Sequence, residues 1–240
     1  MKSSIITYRS PKDPISESFR NMRTNITFSN IDKEMRVLTV TSVGQGEGKS
    51  TIIANYAVAL AQAKKKVLLL DCDLRRPRVH RLFDKQNRRG LTNALLREAE
   101  VSEIIQTTEI ENLYIVSSGP IPPNPSEILA SKRLEETIKK LKEAFDYILI
   151  DAPPVCVVTD AAVLSRVTDG YIVVAAIDVT NKEGIKMAID TLNNVNANII
   201  GVVANNVPTN KHSAYYYYSA YEENHPGKKN KRQKKEKRIK

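Results

Sequence analysis

Ser42-Val43-Gly44-Gln45-Gly46-Glu47-Gly48-Lys49-Ser50-Thr51 decides the fold. The stretch follows a short β-branched run, Val37 to Val43. It opens a helical one, Ser50 to Ala63, with Ile53, Ala57, Leu60 and Ala61 on one face. A strand, a glycine-rich loop and a helix, in that order, curl backbone amides into an anion nest and add the helix N-terminus to it. Gly44, Gly46 and Gly48 shape that loop. Lys49 is spaced to reach the β- and γ-phosphates of a nucleotide, Ser50 to ligate Mg2+, and Thr51 to act near the α-phosphate. The strict motif wants Gly where Val43 stands, so this loop is a variant of it.

Outward from the loop, strand-like and helix-like segments alternate. Val67 to Asp71 is a continuous apolar run, as a strand covered on both faces requires. Leu113 to Ser117, Tyr147 to Asp151, Gly170 to Ala176 and Ile199 to Asn205 share that character. Helical patterns fall between them at Leu91 to Glu98, Ser131 to Ala144, Ala161 to Val167 and Lys182 to Val195, and another, Asp13 to Asn30, precedes the first strand. Gly119-Pro120-Ile121-Pro122-Pro123-Asn124-Pro125 reads as a rigid loop before a helix start at Ser126. The expectation is an α/β chain: a doubly wound, mostly parallel sheet with helices on both faces. Ligands of such sheets bind beyond the carboxyl ends of the strands.

Two of those strand ends carry acids. One reads Leu68-Leu69-Leu70-Asp71-Cys72-Asp73-Leu74-Arg75-Arg76-Pro77, the other Ile148-Leu149-Ile150-Asp151-Ala152-Pro153-Pro154. Asp71 and Asp73 are two apart on an extended chain and so face one side. With Asp151 they are expected to converge on Lys49 and Ser50. Mg2+ takes few direct protein ligands, so the three acids exceed its needs and one is left to accept a proton. Asp73 and Asp151 are assigned with Ser50 to the metal and Asp71 to the proton, with Asp73 the alternative base. Arg75 and Arg76 suit a phosphate, an acidic neighbour or plain surface charge. Asn205 and Asn206 end the last strand on the side where adenine would lie, where they either bond the base or form a turn.

Composition narrows the partners. The formal net charge is +10, but Asn224 to Lys240 hold nine Lys or Arg against one Glu, so the body is nearly neutral and the end a polycation. Such an end suits anionic lipid, an acidic partner or nucleic acid. No aromatic residues for base stacking interleave with it, so no specific nucleic-acid partner is expected. Just before it stand Tyr215, Tyr216, Tyr217, Tyr218 and Tyr221. Consecutive phenols cannot all face one core, so an exposed, flexible segment is expected. A bland alternative is a sticky aromatic terminus. Tyr8, Tyr56, Tyr114, Tyr147 and Tyr171 are read as packing residues, and Cys72 and Cys156 as reduced ones. No run of about 18 apolar residues and no signal-peptide core occur, so the expected compartment is the cytosol.

The variant phosphate loop, the apolar-Asp-x-Asp-x-Arg strand end and the apolar-Asp-x-Pro-Pro strand end together resemble the bacterial tyrosine kinases, P-loop NTPase-fold enzymes unrelated to eukaryotic protein kinases. The resemblance spans nearly the whole chain. It implies ATP and Mg2+ as cofactors and autophosphorylation, in trans, of the tyrosine cluster Tyr215–Tyr221. It implies a ring-shaped homo-oligomer held by a Glu17-x-x-Arg20-x-x-Arg23 motif, whose i, i+3 spacing otherwise means intrahelical salt bridging. It also implies a transmembrane activator that recruits the cytoplasmic kinase to the inner face of the membrane, a cognate tyrosine phosphatase, protein substrates, and a role in capsule and exopolysaccharide synthesis. The expected organisation is an oligomerisation segment at 1–35, a kinase domain at 36–207 and a flexible tail at 208–240. Two alternatives stay open: a partitioning or cell-division ATPase, which would carry an extra lysine where Gly44 stands, and a nucleotide-gated scaffold that transfers nothing.

Overall fold

The computed structural model describes residues 5–29 and 34–208. The tyrosine cluster Tyr215–Tyr221 and the basic end lie outside the described residues. The chain divides after Asn206, and the first unit, Met1–Asn206, holds every element named below.

Seven strands form one sheet: β1 (Val37–Ser42), β2 (Val67–Asp71), β3 (Gln106–Thr107), β4 (Leu113–Val116), β5 (Tyr147–Asp151), β6 (Gly170–Ala176) and β7 (Ile199–Asn205), in the order β3-β4-β2-β5-β1-β6-β7. All neighbours are parallel except β3 and β4. The apolar runs alternate between two clusters, as the two-residue period of a strand demands. Leu68, Leu70, Ile148, Ile150, Tyr171 and Val173 face one. Val67, Leu69, Leu149, Ile172 and Val174 face the other.

Helices cover both faces. On the second cluster lie α1 (Ile6–Arg9), α2 (Pro14–Phe28), α3 (Lys49–Gln62) and α4 (Val79–Leu82). On the first lie α5 (Leu91–Leu95), α6 (Val101–Ile104), α7 (Pro125–Leu129), α8 (Lys132–Ala144), α9 (Asp160–Val163) and α10 (Lys182–Asn193). Asp13 starts α2 by accepting a bond from the Ile15 N–H at 2.8 Å, with Pro14 in the first turn, where its missing N–H costs nothing. Phe19 and Ile26 of α2 are buried in the same cluster as the apolar face of α3.

Several expected boundaries shift. The Leu91 helix stops at Leu95, two residues before Arg97 takes a left-handed backbone (φ 65°). The Ala161–Val167 pattern splits into α9 and a single 3-10 turn at Leu164–Arg166. The α7 helix starts at Pro125 rather than Ser126. The short helices α4 and α6 and the two-residue strand β3 are additions, too brief to show a period in sequence.

Candidate active site

Strand register assembles the site. Asp71 and Asp151, the last residues of neighbouring β2 and β5, sit directly opposite each other. Side chains opposite one another on adjacent strands point the same way, here toward the start of α3. Asp71, Asp151 and Asp73 are all buried. The Lys49 ammonium reaches among them, 2.8 Å from Asp73 Oδ2, 3.2 Å from Asp151 Oδ1 and 3.4 Å from the Ser50 hydroxyl. The expected meeting of Lys49, Ser50 and the three acids is therefore present.

The acids differ in how they are held. Asp71 Oδ2 accepts from the Arg78 and Val79 N–H groups, both at 3.0 Å, and so caps the start of α4. Its Oδ1 is buried without a hydrogen bond, as is Oδ2 of Asp151. Asp73 Oδ1 accepts from the Arg76 N–H at 3.0 Å. Burial, then the Asp151 charge, pushes the Asp71 carboxyl well above the usual carboxylate range. Burial also raises Asp151, against the pull of Lys49 and the neighbouring Ser50 hydroxyl. Burial lowers the Lys49 ammonium, but the charges of Asp151 and Asp73 outweigh it and leave the group raised.

Three buried carboxylates around one ammonium leave an excess of negative charge and two oxygens without partners. A small, hard cation with oxygen ligands would satisfy both needs. Among the described residues no three His, Cys, Asp or Glu side chains converge as a ready metal cage. A hydroxyl and one or two carboxylates, completed by water, make a ligand set for such a cation. The donor set of Ser50, Asp73 and Asp151 is of this kind.

The loop itself is braced from two directions. Gly48 has a left-handed backbone (φ 92°), and a Cβ there would lie 2.1 Å from Asn205 Nδ2. That amide donates to the Glu47 carbonyl oxygen at 2.8 Å, so Asn205 at the tip of β7 holds the loop backbone. Gly46 (φ 81°) has nothing within 4 Å of its would-be Cβ, leaving the mouth of the loop open. Glu47 escaped sequence reasoning. Its buried carboxylate accepts from the Val43 N–H at 2.8 Å and the Thr180 hydroxyl at 2.5 Å, tying the loop back on itself and to the segment that follows β6. The one available signal was a lone acid inside a glycine-rich loop.

Asp160 was also missed. Arg75 binds it through two nitrogens, at 2.9 and 3.1 Å, and reaches Ser126 at 3.1 Å. Arg75 therefore serves an acidic neighbour rather than phosphate. Arg76 donates to the side-chain oxygen of Gln45 at 2.5 Å. In α2, Glu17 and Arg20 pair within the helix at 3.3 Å, Arg20 also donates to the Pro11 carbonyl, and Arg23 donates to the Ala59 carbonyl of α3 at 2.7 Å. Tyr56 and Tyr171 are buried, Tyr171 with its hydroxyl on the Ala161 carbonyl at 2.7 Å, whereas Tyr8 is 39% exposed. Cys72 and Cys156 are both free thiols.

A family model described as an AAA domain matches residues 35–204. Tyrosine-protein kinase YwqD of Bacillus subtilis (strain 168) is 40% identical over 91% of this chain and 92% of its own length. The chain belongs to the bacterial tyrosine kinases. Tyrosine-protein kinase CpsD of Streptococcus agalactiae serotype III (strain NEM316) is 38% identical over 80% of this chain and 82% of its own. The crystal structure of the chimerical protein CapA2B2 superposes with a TM-score of 0.84 at 40% identity, covering 87% of this chain and 92% of that one. Membership of this kinase family fixes the enzyme class as protein-tyrosine kinase and the fold as that of nucleotide-binding P-loop proteins. Among the described residues no helix is long and apolar enough to cross a membrane.

Proposed function

We propose that the chain transfers the terminal phosphate of ATP to Tyr215, Tyr216, Tyr217, Tyr218 and Tyr221 of a neighbouring copy. The observation that carries this reading is the Lys49 ammonium held among three buried carboxylates at the mouth of a phosphate loop. Phosphoryl transfer needs positioning and charge neutralisation more than covalent chemistry from the protein.

The amides around Gly44, Gly46 and Gly48 cradle the phosphates, Thr51 acts near the α-phosphate, and Lys49 turns from Asp73 and Asp151 to the β- and γ-phosphates. That turn frees carboxylate oxygens, so Ser50, Asp73 and Asp151 are the groups to hold Mg2+, directly or through water. Bound there, the ion neutralises charge developing on the phosphate oxygens. Asp71 takes the proton of the incoming phenol. A phenol near its ordinary pKa of about 10 is mostly protonated at neutral pH, and Oδ1 of Asp71, buried without a hydrogen bond, is an oxygen available to accept that proton. Asp73 is the alternative base. Asn205 spends its amide nitrogen on Glu47, which leaves its carbonyl oxygen for an adenine amine.

In this reading residues 1–35 form the oligomerisation segment, 36–207 the kinase domain and 208–240 the tail. Glu17, Arg20 and Arg23 exchange some of their internal partners for a neighbour's, and head-to-tail contacts close into a ring. The enzyme works in the cytoplasm, at the inner face of the membrane where a transmembrane activator holds it. A tyrosine phosphatase resets it, and capsule or exopolysaccharide synthesis is the process it controls, through protein substrates beyond its tail.

Mapping of phosphosites on the full chain after incubation with Mg-ATP, with Lys49→Ala as control, tests the assignment. Label on the tail tyrosines, absent from the control, is the expected result. Free phosphate without labelled protein would make the chain an ATPase of the partitioning type. Neither product would make it a nucleotide-gated scaffold.

A further inference from the structure

Next to Asp73 the chain leaving β2 lines a hollow of about 470 Å3 with Arg75, Arg76, Arg78, His80 and Arg81, and Ile121 stands among the residues opposite. No Asp or Glu contributes to its wall. Arg75 is neutralised by Asp160. The other arginines are not: Arg76 bonds an uncharged amide oxygen, and among the described residues neither Arg78 nor Arg81 pairs with a carboxylate. The Nδ1 of His80 is buried without a hydrogen-bond partner. The hollow thus presents three uncompensated guanidinium groups, and a set of fixed donors of this kind suits carboxylates or phosphate.

Its position ties it to the reaction. The Arg76 N–H is bonded to Asp73 and the Arg78 N–H to Asp71, so the basic wall begins at the carboxylates that face the incoming hydroxyl. An acceptor tyrosine presented there has its next two residues within about 7 Å along an extended chain. Those residues fall within reach of the arginines. In the tail, Tyr221 alone among the clustered tyrosines is followed directly by two acids, Glu222 and Glu223.

We propose that this hollow binds Glu222-Glu223 of another copy's tail and so seats Tyr221 as the preferred first acceptor. The proposal rests on the reading of the tail as substrate, and it adds the recognition element and the order of use. Tyr215 to Tyr218, without acids directly after them, follow once the tail is held.

The test measures binding separately from transfer. The probe is a fluorescent peptide spanning residues 217–227 with Tyr217→Phe, Tyr218→Phe and Tyr221→Phe, which can bind without being modified. The protein is the full chain carrying Glu222→Gln and Glu223→Gln, so that its own tail does not compete. Fluorescence anisotropy should show the probe binding about tenfold more tightly than the same peptide with Glu222→Gln and Glu223→Gln, with the gap shrinking as salt rises. Arg78→Gln together with Arg81→Gln in the protein should abolish that gap, while a thermal melt verifies that the variant is folded. Arg81→Gln alone should reduce it.

Equal affinity for the two peptides overturns the proposal, as does a gap that survives in the doubly substituted protein. A peptide of the same composition with its two acids moved to the far end should bind like the Gln form. If it binds like the probe, charge alone is at work and the pocket assignment falls. Tighter binding of a Tyr218-phosphorylated peptide lacking both acids would give the hollow to a phosphate group, and would also overturn it. Failure of the kinase reading is seen elsewhere, as absence of transfer to the unaltered tail under Mg-ATP.

Discussion

Asp71 is the most constrained acid of the site, fully buried, bonded to two backbone N–H groups and facing a second buried carboxylate. A group like this opposes folding when charged, so its replacement separates stability from activity. Its folded pKa is raised above the unfolded one. The stability it contributes is therefore complete at low pH and is lost as pH climbs past the ordinary carboxylate range toward the raised value. Asp71→Asn keeps an oxygen for the Arg78 and Val79 N–H groups and removes the charge. We expect its nucleotide-free form to be more stable than the parent by roughly 1 kcal/mol, a typical single-site effect. The difference in melting temperature should be wider at pH 8 than at pH 5. Tail phosphorylation should fall at least about a hundredfold, the usual weight of a general base. If Asp71→Asn turns over normally and Asp73→Asn does not, the base is Asp73.

Among the elements, the phosphate loop depends on a strand far from it in sequence. Gly48→Ala places a Cβ against the Asn205 amide and forces a left-handed backbone on an L side chain, at a cost of about 1–2 kcal/mol before any clash is counted. Isothermal titration should show ADP affinity reduced at least about tenfold, whereas Asn205→Ala, which removes only the brace, should lose less. Arg36 makes a contrasting case. Its guanidinium bonds the Lys142 and Phe145 carbonyls at 2.6 and 2.7 Å, closing the C-terminus of α8 on the side opposite the active site's strand ends. Arg36→Ala should cost about 1.5–3 kcal/mol in urea melts, as charged hydrogen bonds do, with ADP affinity unchanged. The central strands were legible because parallel strands buried on both faces must be apolar throughout, whereas β7, at the sheet edge, is only half-buried and was legible from its apolar run alone. Short helices such as α4 and the two-residue β3 were not, because neither is long enough to display a period. Lys49, Ser50 and the three acids could be grouped because each sits at a strand end or helix start that the pattern marks. Glu47 and Asp160 could not, because their partners, Thr180 and Arg75, lie 133 and 85 residues away.

At the scale of the whole molecule, the proposed assembly makes one solution property sensitive to modification. Each phosphate adds about −1.5 to −2 charges to a tail that docks beside a neighbour's three buried carboxylates. Light scattering of the full chain should report a smaller mass after exhaustive autophosphorylation than before it, and Lys49→Ala should show no change under the same treatment. Equal masses in both states would refute the switch. In α2, Glu17, Arg20 and Arg23 are engaged within the chain through Pro11 and Ala59. Any assembly through them therefore exchanges existing bonds for new ones.

Asp71 and Asp151 are opposite partners on a single rung of the β2–β5 ladder, and that register brings them together. Alternation means that a one-residue slip would turn Asp151 to the opposite face while leaving strand content nearly intact. Mis-paired molecules would therefore pass as native in a far-ultraviolet spectrum yet be chemically silent. For a preparation of this protein, counting competent sites by nucleotide titration is the sound measure of quality, and spectroscopic foldedness is a poor substitute.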